Sequence, residues 1–212
     1  MNTTTDQIKL RSKKAPGNTL PKAVICATYI FIISLYVVSS PPRIMIMTLI
    51  FSAMHESAHI LCAKALGRDV SPFRFSFSGL YPDLSTGTPI STLLIYVSGP
   101  AVNLVAVITA MSILRGGYSD ATLDAFCVNA LLFIYNLLPV PFSDGDGIMR
   151  TTLSFFLCDK LVRIFCAVLN LVFSIAVFSF FSYRFLLLGT GLFSFVCSFV
   201  FMLASLERLF KG

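Results

Sequence analysis

Six stretches of this 212-residue chain are long and apolar enough to be helices in lipid: 22–40, 43–66, 90–114, 121–142, 160–182 and 184–206. No other feature narrows the fold as far. A bilayer core is about 30 Å thick, so a helix needs roughly 20 apolar residues to cross it. Lipid offers no water to satisfy backbone amides and carbonyls, and only helices and closed barrels satisfy them internally. Apolar runs of this length without period-two alternation select helices. The composition agrees, at 56% hydrophobic, 12% charged and a mean hydropathy of +0.84, well outside the usual range of a soluble domain. The expected fold is therefore an all-α polytopic membrane protein with six transmembrane helices.

Positive charge gives those helices a direction. Lys9, Arg11, Lys13 and Lys14 precede the first stretch and Lys22 opens it, which places the N-terminus in the cytoplasm. With six spans the C-terminus returns to the same side. Thirteen of the sixteen Lys and Arg residues then lie on the cytoplasmic side, and only Arg43, Arg115 and Arg184 on the other. The expected location is a cell membrane, crossed several times. The net charge of +6 is read as this topology signal and as affinity for anionic lipid heads. No basic-aromatic pattern argues for nucleic acid.

One cytoplasmic segment breaks the helical pattern. Between Gly67 and Pro89, Phe73, Phe75 and Phe77 alternate with Arg74, Ser76 and Ser78, a period-two pattern that predicts a strand. A short β-hairpin or edge strand is expected after the second span. It would serve as a flap over the helices or as an edge on which an extended substrate docks.

The polar residues inside the apolar runs carry the chemistry. The only two histidines of the chain, and one of its two glutamates, fall in His55-Glu56-Ser57-Ala58-His59. On a helix, positions i and i+4 share a face, so both imidazoles can reach one zinc ion while Glu56 acts on its bound water. Ionisable groups at membrane depth are costly and default to function. Catalytic zinc takes three protein ligands and keeps a fourth position for water, so a third ligand is expected. The second and fourth spans both run toward the cytoplasm, and the end of the fourth reads Asn136-Leu-Leu-Pro139-Val-Pro141-Phe-Ser-Asp144-Gly-Asp146-Gly. The prolines stop an ordinary helix, and the unwound backbone is expected to turn Asp144 toward the histidines. Asp146 is the rival ligand.

At these residues the chain resembles the site-2 protease family of intramembrane zinc metalloproteases. That family combines H-E-x-x-H with N-x-x-P-x-x-x-x-D-G, here Asn136, Pro139, Asp144 and Gly145, and a G-P-x-x-N, here Gly99, Pro100 and Asn103. Within it the chain is most similar to the compact six-span type of the bacterial sporulation protease that activates a membrane-tethered sigma factor. The resemblance implies that His55, His59 and Asp144 hold one Zn2+. It also implies that Glu56 is the general base and that Asn136 positions substrate or stabilises the oxyanion. Asn129, seven residues before Asn136, and Asn103 are candidate supports of the site or the substrate path, as are Phe75 and Phe77.

The expected organisation is a disordered cytoplasmic tail over 1–20 and a single membrane protease domain over 21–212, with its catalytic core at about 43–150. The expected activity is cleavage of a membrane-embedded or membrane-tethered protein near the cytoplasmic face, as in regulated intramembrane proteolysis. Two alternatives stand beside it: maturation of exported signal or antimicrobial peptides, and a catalytically silent zinc-binding membrane protein. The expected partners are the protein substrate and the bilayer, with a membrane regulator or a second copy of the chain as further ones.

Overall fold

The computed structural model describes residues 34–68, 74–76, 79–81 and 88–211. After a helical segment at 34–39 come α1 (Pro42–Ala65), the strands β1 (Arg74–Ser76) and β2 (Gly79–Tyr81), then α2 (Pro89–Gly116) and α3 (Asp120–Leu137). The chain continues with α4 (Asp144–Leu153), α5 (Asp159–Leu188) and α6 (Leu192–Lys211). Four of these, α1, α2, α5 and α6, are long and apolar enough to cross a membrane. The first expected span falls mostly outside the described residues. The fourth corresponds to α3, which at 18 residues is not among those four.

The distribution of side chains is that of a membrane protein. The most deeply buried residues include Asn103, Asn129, Asn170, Ser174, Ser198 and Ser205, while Leu61, Ile108, Leu131 and Leu186 lie exposed on the outside. In water that arrangement would leave the apolar surface unsatisfied. In lipid it is favourable, because small and polar residues bind helix to helix while apolar ones face the acyl chains.

The helix ends follow from local chemistry. Gly67 terminates α1 with φ 67, and Arg68 N–H bonds to the Ala63 carbonyl at 2.9 Å while Gly67 N–H bonds to that of Lys64 at 2.9 Å. This is a Schellman stop, which favours glycine at the left-handed position. Arg68 then reaches across to the start of α2, donating to the Thr88 carbonyl (3.1 Å), the Thr92 hydroxyl (3.0 Å) and the Ser91 hydroxyl. It ties the end of α1 to the beginning of α2. Between them β1 and β2 pair antiparallel, with Arg74 opposite Tyr81 and Phe75 opposite Leu80. Phe73 and Phe77 lie outside the described residues.

Two boundaries differ from those expected. The fourth apolar stretch was expected to run to residue 142, but α3 stops at Leu137, because Leu138 precedes Pro139 and takes an extended ψ of 139°, as a residue before proline prefers. The sequence divides the last two stretches at residue 183, with Arg184 opening the last one. Arg184 instead lies inside α5, which continues to Leu188 and turns at Gly189 (φ 62) and Gly191 (φ 84). Leu186, Leu187 and Leu188 extend the apolar run, and the glycines supply the backbone conformation that ends it.

Candidate metal centre

His55 and His59 lie one turn apart on α1 and are both buried, at 5% and 8% exposure. Their Nε2 atoms are 3.1 Å apart. From the start of α4, Asp144 Oδ2 comes within 3.0 Å of His55 Nε2 and 3.3 Å of His59 Nε2. The structure thus gathers the two histidines and Asp144, and the donor atoms of all three lie within 4.8 Å of one another.

The sequence of α4 explains how Asp144 arrives there. Residues 138–143 form a series of bends and turns after α3, and Ser143 caps α4, its hydroxyl accepting from Asp146 N–H at 3.3 Å and donating to the Val140 carbonyl at 2.9 Å. Phe142, just before the cap, has φ 73, a conformation that costs a bulky residue about 1–3 kcal/mol. Gly145 and Gly147 make the close approach possible. A Cβ on Gly145 would collide with the carbonyls of Leu137 and Leu138, and one on Gly147 with the ring of Tyr96. In Asp-Gly-Asp-Gly the carboxylates do the bonding and the glycines admit the neighbours.

Helix α2 holds the histidines from the other side. His59 Nδ1 lies 2.6 Å from the Ile95 carbonyl. A carbonyl only accepts, so Nδ1 carries the proton and Nε2 of the neutral ring presents a lone pair. Asn103 faces His55 Nδ1 with its amide at 3.0 Å, and its buried Oδ1 has no partner among the described residues. Turned over, that amide accepts Nδ1–H through Oδ1 and leaves His55 Nε2 with a lone pair as well. Gly99 lies between these contacts, and a methyl group there would overlap both imidazoles. Sequence reading placed Gly99 only in a motif; the close approach of α1 to α2 is what requires it.

These groups fit a divalent cation. In these tautomers two imidazole lone pairs face one carboxylate oxygen, Asp144 Oδ2, which lies 3.0 and 3.3 Å from them. Separations of 3.0 to 3.3 Å match the roughly 3.3 Å between ligands held about 2.0 Å from a tetrahedral zinc ion. The outer bonds to Ile95 and Asn103 are those that set imidazole tautomer and orientation in metal sites.

The other candidates are placed differently. Glu56 is exposed beside the histidines, about 60° around α1 from His59 at 3.6 residues per turn. Asn136 is half-buried in the last turn of α3 and makes no hydrogen bond to the cluster among the described residues. Asn129 is buried but bonds within its own helix, to the Ala125 carbonyl at 2.8 Å. Phe75 lies in β1. The rival ligand Asp146 turns away: its carboxylate is bound by Arg150, Asn170 and Arg208. These three partners were not foreseen, although an Asn in the middle of a long apolar helix is itself a signal.

No protein-family model matches the sequence, and no curated protein matches it significantly. Among solved structures, the chain is similar to the site-2 protease from Methanocaldococcus jannaschii, with a TM-score of 0.61 over 87% of each chain and 18% sequence identity. The architecture that brings His55, His59 and Asp144 together is the site-2 protease fold.

Proposed function

We propose that this chain is a zinc-dependent intramembrane endopeptidase of the site-2 protease family. It cleaves a membrane-embedded or membrane-tethered protein near the cytoplasmic face. The observation that carries this reading is the convergence of His55, His59 and Asp144 within a bundle of apolar helices. In the proposed topology six spans place both termini in the cytoplasm, with α3 as the fourth span.

His55, His59 and Asp144 would hold the ion, which when bound supplies a Lewis acid and lowers the pKa of its water to about 7. Glu56 accepts a proton from the attacking water and returns it to the departing amine. Asn136, at the end of α3, positions the substrate backbone or donates to the developing oxyanion. A helical peptide bond is shielded from attack, so the substrate has to unwind first. The β1–β2 pair, with Phe75, offers an edge on which an extended segment can add as a strand.

Cleavage of membrane-tethered candidate substrates by the purified chain in liposomes tests this function. Removing the metal with 1,10-phenanthroline is expected to abolish cleavage, and adding back zinc is expected to restore it. Cleavage that persists in the chelator contradicts the metal-dependent function.

A further inference from the structure

Asp146 lies on the same first turn of α4 as Asp144, yet serves a different set of partners. It is buried, at 5% exposure. Its Oδ1 accepts from Arg150 Nε at 2.9 Å and from Asn170 Nδ2 at 2.9 Å, and its Oδ2 accepts from Arg208 Nη1 at 2.6 Å. These donors come from α4 itself, from the middle of α5 and from the last turns of α6. One carboxylate joins three helices.

Arg208 has a second contact. Its guanidinium lies over the Phe142 ring, 5.5 Å from the centroid. Arg208 therefore holds residues 142 and 146, two positions to either side of Asp144. Phe142 is the residue with φ 73, and a strained turn persists only where its surroundings over-determine it. Helix α6 supplies much of that restraint, since Phe201 also packs on Phe142, at 6.3 Å between centroids, and on Tyr135, at 5.7 Å.

We propose that Arg208 is a positioning residue for the metal centre: by gripping Asp146 and Phe142 together it fixes the turn that aims Asp144 at the two histidines. The C-terminal helix is then part of the zinc-binding machinery while contributing no ligand. This role presupposes the zinc-binding function proposed above. Removing Arg208 leaves Arg150 and Asn170 on Asp146 Oδ1, so α4 stays docked. What is lost is the bond to Oδ2 and the cover over Phe142, which restrain the turn.

The test is zinc affinity of the purified full-length chain in detergent, measured by competition with a chromogenic chelator, beside thermal unfolding of the metal-free protein. Arg208→Gln is expected to bind zinc about tenfold more weakly, as expected for loss of an outer support, with little change in metal-free unfolding. Arg208→Lys restores a cation to Oδ2 without the planar group over Phe142 and is expected to recover most of the loss. Arg208→Met, which keeps the alkyl stem, replaces the glutamine variant if that fails to fold. Wild-type affinity in the Gln or Met variant overturns the role, as does a lowered unfolding temperature with unchanged affinity of the folded protein. Absence of zinc binding in the wild type overturns the proposed function itself, whereas tight wild-type binding that Arg208 does not influence overturns only this role.

Discussion

Glu56→Gln is expected to leave the chain folded and zinc-loaded while slowing cleavage by about a thousandfold, within the range general acid–base groups contribute. Glutamine has nearly the shape of glutamate and keeps a hydrogen-bonding oxygen, but it cannot take up a proton at neutral pH. Glu56 is exposed, whereas the three converging ligand groups are His55, His59 and Asp144. The substitution therefore removes a proton acceptor without touching the ligands or the packing around them. Single-turnover cleavage of a tethered peptide, alongside zinc content, separates the two effects. Equal cleavage by both proteins would remove Glu56 from the mechanism, and loss of zinc in the variant would make it a structural residue.

Gly99→Ala is expected to weaken zinc binding by about 100-fold or more, at the upper end of what perturbing the support of a metal site does. The added methyl group would overlap the rings of both His55 and His59. Neither ring has an easy escape: His59 is held by the Ile95 carbonyl and His55 faces Asn103. Close-packed interiors transmit such an intrusion to the backbone, so α1 and α2 must separate and the imidazoles must leave the line of Asp144. Gly116→Ala is the control. A methyl group there meets nothing within 4 Å among the described residues, and zinc affinity and cleavage are expected to stay at wild-type levels. Chelator competition on the two variants measures the difference. Equal affinities would mean that the approach of α1 to α2 does not shape the site.

The site was more legible in the sequence than the connections that support it. His55 and His59 could be placed together because four residues is a local spacing and the helix repeat fixes its geometry. Asp144 follows from two prolines, a local signal, and from the direction that the chain-wide charge pattern gives the second and fourth spans. The division between α5 and α6 was misplaced because residue 183 lies in an apolar run that continues to Leu188, and only Gly189 and Gly191 mark the turn. The local pattern does not separate Asp146 from Asp144 as a ligand because the partners of Asp146 are remote: Asn170 is 24 residues away and Arg208 is 62. Pairings at that separation depend on how α5 and α6 lie against α4, which no local pattern specifies. Gly99 showed the same limit, since its requirement comes from two rings on another helix.

If His55, His59 and Asp144 form one zinc site, the metal leaves when Asp144 is removed. Zinc content of the purified chain, compared between wild type and Asp144→Ala, tests it most directly. About one zinc per wild-type chain is expected, as for a single catalytic site with three protein ligands, and near-complete loss in the variant. A wild-type chain without zinc, or an Asp144→Ala chain that keeps its full complement, would contradict it.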